Sequence, residues 1–391
     1  MKNHKHLFIT IIVASIATAS VWLLLLNQST QSANTVLQKK TIKIGGILPL
    51  SGDAASGGIP LQQAAEVAVK EINNAGGLRG KLIETIWEDG HCEKTSAKIA
   101  AEKLLNQNDI DFLIGGACSD EFLVSAPLAQ QKNILSFTPS ATSPQISLLG
   151  ENIFRTTPSD SLAGKAAAQY GYTKLKSRRV ALISEDKDFT TNLKEEFRKE
   201  YLKLGGAVVY EIVFKTGTNE FDTIANAVKA AKPDLIYLVP QTESPGVLAI
   251  KSIKQTLPTT NIMTGEILLQ RQTVTEQGTI LEGITGIELY YDETNPKTKH
   301  LLDTYKSEYG VAAPYPAYMT GMYDIFYLIK EAYVKTDGST EKMAEYLHQL
   351  NNWPGAVGEL SFDKNGDPVL NYSIRKVKNK QTELIEIYRP Q

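Results

Sequence analysis

The feature that most constrains this chain is a strict alternation of short apolar runs with helix-length amphipathic stretches. Ile42–Leu48 is one such run, closed by Pro49, Ser51 and Gly52. Leu61, Ala64, Ala65, Ala68, Val69 and Ile72 then recur at i, i+3, i+4, i+7, i+8 and i+11, one face of a helix that Gly76-Gly77 stops. Leu82–Trp87 reads as the next strand, Ala97, Ala100, Ala101 and Leu104 as the next helix face, and Phe112–Ile114 as a third strand. Ser119–Lys132 follows as a helix with Ser119 as its expected N-cap, and Ile134–Phe137 as a fourth strand.

The same grammar restarts after Phe154–Pro158. Arg179–Ser184, Ala207–Phe214 and Leu235–Val239 read as strands. Between them lie a helix face of Leu193, Phe197, Tyr201 and Leu204, stopped by Gly205-Gly206, and a helix over Phe221–Ala231. Continuous apolar strands separated by helices imply parallel sheets covered on both faces. The fold class is α/β, with two doubly wound lobes. The last third adds helices over Pro296–Tyr309 and Tyr315–Val334. A closing β-meander is expected from Gly358–Phe362, Tyr372–Val377 and Leu384–Tyr388, with too few elements for a third sheet.

Ahead of this pattern, Lys2 and Lys5 precede Leu7–Leu26, twenty residues without a charge, and a polar linker, Asn27–Lys40. The run is longer than the apolar core of an ordinary secretory signal, and its small-residue cleavage candidate, Ala17-Thr18-Ala19, lies inside it. Both a long cleaved signal and a retained membrane anchor fit, and either exports the rest. No cysteine precedes residue 92, so no lipid attachment site is offered.

Composition narrows the function. Lys and Arg total 41 against 43 Asp and Glu, a net charge of −2, which leaves no basic excess for nucleic acid. The phosphate-binding glycine loops and the Gly-x-Ser-x-Gly elbow are absent. None of the five histidines pairs with another at metal-ligand spacing, so neither metal nor cofactor is expected. Asp363-Lys364-Asn365-Gly366-Asp367 lacks the calcium-loop glycine and glutamate positions and reads as a hairpin turn. His91-Cys92 admits a thiol nucleophile. However, Cys92 and Cys118 each follow a strand at one sheet edge, where neighbouring parallel strands would bring them within bridging distance. In an exported chain a structural disulfide is the expectation.

What remains is a set of polar residues just past strand ends, where doubly wound folds bind ligands. Ser119 opens a helix; taken alone, it is a cap worth about 1 kcal/mol. Ser140-Ala141-Thr142 follows the fourth strand, Gln241 follows Leu235–Val239, and Glu266 follows Asn261–Thr264. Hydroxyls and N–H groups on one lobe, with a carboxylate on the other, suit an α-amino acid zwitterion.

With these residues the chain resembles the leucine/isoleucine/valine-binding type of periplasmic solute receptor, the type I binding fold of ABC importers, from Ile42 to about Pro390. The resemblance is carried by Gly45–Gly52 and by Ala64–Gly80, by Gly115–Ser119 with Cys92, and by Thr138-Pro139-Ser140-Ala141-Thr142-Ser143-Pro144. Phe154-Arg155-Thr156-Thr157-Pro158, Tyr323-Asp324 and Gly358…Phe362-Asp363…Gly366-Asp367 add to it. It implies two lobes joined by three crossovers, near Thr156–Ser159, Glu282–Thr285 and Asp363–Pro368, that close about a ligand. The division it implies is residues 1–40 as signal or anchor plus linker, 41–157 and 285–362 as the first lobe, and 158–284 and 363–391 as the second.

The resemblance further implies that Ser119 and Thr142 hold a ligand carboxylate, and that the Ser140 carbonyl, Thr142 and Glu266 hold an ammonium. Phe189 would cover the ligand, with Ala141 and Gln241 at the site and Tyr323 in its wall. The implied protein is a monomeric, extracytoplasmic receptor that delivers an amino acid, branched-chain or related, to an ABC permease. Gly57 and Gln241 stand where such receptors carry pocket aromatics, so a wider, more polar side-chain subsite is expected. A membrane-anchored sensor of the same fold and an exported α/β hydrolase are the alternative readings.

Overall fold

The computed structural model describes residues 41–389; Leu7–Leu26 and the linker after it lie outside the described residues. None of the described helices is long and apolar enough to cross a membrane.

Two sheets organise the molecule. The first runs β2-β1-β3-β4-β5, built from β1 (Ile42–Leu48), β2 (Ile83–Asp89), β3 (Phe112–Gly115), β4 (Leu135–Thr138) and β5 (Ile153–Arg155), all parallel. The central strands are buried along their length, as parallel strands sandwiched by helices must be. Helices Ala55–Asn74 and Pro316–Thr336 pack together over one face, with Ala64, Ala68, Met319 and Met322 fully buried between them. Helices Lys94–Gln107 and Ser119–Gln131 pair on the other side.

The second sheet comprises β6 (Arg179–Glu185), β7 (Ala207–Phe214), β8 (Leu235–Val239), β9 (Asn261–Thr264), β10 (Thr285–Leu289), β13 (Tyr372–Lys378) and β14 (Gln381–Tyr388). Its order is β14-β13-β10-β9-β8-β6-β7. It is parallel from β7 to β10, while β13 and β14 add on antiparallel.

Several expectations are corrected. Thr285–Leu289 pairs with β9 and β13, so the second crossover falls after Leu289 rather than at Glu282–Thr285, and those five residues belong to the second sheet, not to a first-lobe segment starting at 285. Leu289, the last residue of β10, and Tyr291 beyond it already pack with the first core. The closing meander is split: β12 (Glu359–Leu360) pairs with β11 (Trp353–Pro354) in a separate ribbon, and only β13 and β14 join the large sheet. Helix Thr340–His348 has no counterpart in the sequence reading.

The disulfide forms as expected, with Cα atoms of Cys92 and Cys118 5.4 Å apart, although their strands are not neighbours. β1 lies between β2 and β3, and the two loops reach over its end. Gly115 makes that turn possible: at φ +120° a Cβ would stand 2.0 Å from the Ile47 carbonyl oxygen. The Glu121 carboxylate then accepts hydrogen bonds from both cysteine N–H groups, at 3.0 Å from Cys92 and 3.1 Å from Cys118. Burial pushes this carboxyl up to about 8.

Behind the crossings, Arg155 is fully buried. Its guanidinium grips Asp367 through two nitrogens, at 2.6 and 2.7 Å, and also donates to the Ser143 carbonyl and the Ser147 hydroxyl. The third crossover is thereby fastened to the first sheet.

Candidate functional site

Helix N-termini and strand C-termini of both lobes converge on a cavity of about 640 Å³, counting its open mouth. The first lobe contributes Pro49, Ser56, Gly57, Ser119, Ser140, Tyr315 and Tyr318, and the second Phe189, Gln241, Thr242, Glu243 and Glu266.

On the first lobe, two loops are tied into one rigid wall. Ser119 is the first helical residue, and Cys118 takes the N-cap position expected for it. The Ser119 hydroxyl instead accepts from the Ser143 N–H at 3.1 Å. The Ser140 hydroxyl donates to the Ala117 carbonyl at 2.9 Å, and Thr138 donates to Gly116 while accepting from the Ala141 N–H. Ser119 and Ser140 therefore face the cavity in fixed positions, beside the positive end of the helix Ser119–Gln131.

On the second lobe, a buried carboxylate does the positioning. Glu185, at the end of β6, accepts from the N–H groups of Gln241 (2.8 Å) and Thr242 (3.1 Å) and from the hydroxyl of Thr216 (2.6 Å). This aims the turn after β8 at the cleft. Glu266 opens the short helix after β9; burial raises its carboxyl to about 7, against the opposing pull of its own backbone N–H and of Tyr318.

Ser119, Ser140, Phe189, Gln241 and Glu266 thus meet around one cavity. Ala141 and Thr142 do not reach it: both are buried behind the wall, with the Thr142 hydroxyl beside Asp160. Near it, burial and the charge of Glu266 push the Asp160 carboxyl well above its ordinary value. Tyr323 is displaced altogether, its hydroxyl donating to Glu71 at 2.6 Å within a cluster that includes Tyr327. Five residues along a helix turn a side chain by roughly 140°, so Tyr318 faces the cleft where Tyr323 cannot.

Glu243, Tyr315 and Tyr318 are among the lining residues that the sequence reading omits. Glu243 stands two positions past Gln241 and was open to the same strand-end rule. The wider subsite expected beside Gly57 is partly filled, because the Tyr315 hydroxyl lies 3.7 Å from where a Gly57 Cβ would be.

The lobes also touch directly. Lys94 of the first lobe bridges Asp188 of the second at 2.8 Å and Asp120 at 3.4 Å, and the Asp188 N–H donates to Asp120. Lys187 reaches Glu93 at 2.5 Å, and the Asn192 amide donates to the Ser143 hydroxyl at 3.0 Å. Among the described residues no group of His, Cys, Asp and Glu is placed to hold a metal ion.

Against known proteins, the sequence profile of the periplasmic binding protein family matches residues 41–382. A leucine-, isoleucine-, valine-, threonine- and alanine-binding protein of Pseudomonas aeruginosa is 26% identical over 329 residues, spanning 84% of this chain and 87% of that one. Among solved structures, a Streptococcus pneumoniae branched-chain amino acid transporter substrate-binding protein in complex with isoleucine superposes with a TM-score of 0.81. It is 25% identical, with 90% of this chain and 100% of that one covered. An R. palustris ABC transporter solute-binding protein in complex with benzoate shares the fold, with a TM-score of 0.80 at 19% identity, covering 90% and 97%.

Proposed function

The chain belongs to the periplasmic binding protein family, and on that premise we propose that it captures an α-amino acid or a closely related amino compound between its lobes for an ABC permease. As a substrate-binding component of an ABC transporter it is not an enzyme, which removes the hydrolase reading. The observation that carries the finer reading is the pairing across the cavity: the hydroxyls of Ser119 and Ser140 beside a helix N-terminus on one lobe, and the Glu266 carboxylate on the other. A ligand carboxylate is held by the first set and an ammonium by the second, so one zwitterion bridges both lobes. Contacts from both lobes are what make the closed form bind better than the open one. Phe189, 5% exposed, covers the ligand from the second lobe, and Tyr318 steadies Glu266.

An aromatic or aliphatic monocarboxylate fits less well. Asp53, Glu243 and Glu266 line the cavity and, among the described residues, no Lys, Arg or His does, so an anion without an ammonium meets uncompensated negative charge. Calorimetric titration of an amino acid and of the matching carboxylic acid lacking its amine separates the two. Glu266→Gln should weaken the amino acid by more than ten-fold and leave the amine-free acid no weaker than before. Equal losses for both would reject the ammonium role.

A further inference from the structure

Resting on the amino-acid reading above, we propose that the ligand carries a second positive centre at the end of its side chain, and that Glu243 receives it. The preferred substrate class is then a basic amino acid rather than a branched-chain one.

Four observations converge. Glu243 is the first residue of helix Glu243–Thr256 and lines the same cavity as Glu266. Its side-chain neighbours are neutral or acidic: the hydroxyls of Ser56 and Tyr315 across the cleft, each at a long 3.4 Å, the Thr273 hydroxyl on its own lobe, and the charge of Glu276. Among the described residues the cavity lining holds three carboxylates and no basic side chain, so none of them supplies the charge that would neutralise a second acid. Finally, Gln241, two residues before Glu243, turns its amide nitrogen to the Cys118 sulfur, which leaves its buried carbonyl oxygen an acceptor without a donor.

An apolar side chain would leave this wall unsatisfied. Taking a carboxylate out of water with no cation beside it is costly, and so is leaving a buried amide oxygen without a donor. A terminal ammonium or guanidinium supplies a charge for Glu243 and N–H donors for the Gln241 oxygen. Burial has raised the Glu243 carboxyl above its ordinary value, as expected for an acid lacking a cation. The subsite also lies between the lobes, since Glu243 belongs to the second and Ser56 and Tyr315 to the first. A cation there draws the lobes together beside the zwitterion contact.

The test is calorimetric titration of the full chain in mild detergent with L-lysine, L-arginine, L-norleucine and putrescine. Norleucine keeps the zwitterion and the four-carbon stem of lysine but lacks its charge. Lysine or arginine should bind at least ten-fold more tightly than norleucine, with a preference that shrinks as salt rises. In Glu243→Gln that preference should collapse to about three-fold or less, while Glu243→Asp should retain part of it. Reading the ratio between ligands removes any general effect of the substitution on closure, and thermal unfolding checks that each variant folds.

Norleucine binding as tightly as lysine would overturn the second cation site and leave the amino-acid reading standing. Putrescine binding that is lost in Glu243→Gln, with no amino acid bound, would support the cation site and overturn the zwitterion reading. Failure of all four while another L-amino acid binds would overturn the cation site alone, and failure of all four and of every other L-amino acid would overturn both.

Discussion

Removing the disulfide gives the most quantitative test of how the cleft is built. Cys92 and Cys118 enclose 26 sequence steps. For a loop of that size, the lost unfolded-state restriction amounts to about 3.5 kcal/mol. In Cys92→Ala with Cys118→Ala the native geometry should persist, because Glu121 still accepts from both backbone N–H groups. The loss therefore falls mainly on the unfolded chain, and on the first lobe alone. For a lobe of about 190 residues, each kcal/mol moves the midpoint by roughly 2–4 °C, so its transition should drop by about 10 °C. Scanning calorimetry resolves this, with the second lobe's transition as internal reference. A drop below about 3 °C, or an equal drop in both transitions, would refute the loop-closure reasoning. Ligand affinity should change little, since Glu121 still holds the backbone on which Ser119 stands.

Four further outcomes follow from contacts elsewhere in the molecule. Burial, with the charge of Glu288, holds Glu266 at about 7. The ammonium requires the ionised form, so affinity should rise by up to ten-fold per pH unit towards pH 7 and level off above it, and Glu266→Gln should flatten the profile. Stability runs the opposite way: an acid whose folded value is raised binds more protons folded than unfolded, so the ligand-free protein should lose stability between pH 4.5 and 8, as seen by thermal unfolding. Glu121, Glu288 and Asp324 act in the same direction. Asp188→Asn removes the partner of Lys94 across the cleft mouth. It should weaken ligand binding by about two- to five-fold and reduce its salt dependence in calorimetry, the range expected of a solvent-screened pair. Asp367→Ala strands the fully buried Arg155 guanidinium and should cost about 3–5 kcal/mol in denaturant unfolding, far more than a surface ion pair.

Much of this architecture is legible in the residue pattern. Apolar strands alternating with 3.6-periodic helices dictate covered parallel sheets, and the strand-end rule finds Ser119, Ser140, Gln241 and Glu266 without coordinates. What the pattern hides is neighbourhood. Nothing local in Thr285–Leu289 says which sheet it joins; only pairing with β9 and β13 decides that. The Ser140-Ala141-Thr142 triplet reads as one polar unit. In the folded loop, Thr138 takes the Ala141 N–H for itself and Thr142 turns away from the cavity. A tyrosine-rich helix such as Pro316–Thr336 offers several candidate walls, and its rotation against helix Ala55–Asn74 selects Tyr318 over Tyr323. Glu185 and Glu121 do their work buried, holding backbone N–H groups of other loops, so their roles appear only once strand order is known.

The central claim is that this cleft closes on an amino-acid zwitterion. Thermal unfolding of the protein against a panel of L-amino acids, amides and small carboxylates tests it most directly. A ligand present at 100 times its dissociation constant adds about 2.7 kcal/mol to the native state. The account predicts a raised midpoint with one class of L-amino acids, abolished in Glu266→Gln. A rise produced only by amine-free carboxylates, or one that survives Glu266→Gln unchanged, would contradict it.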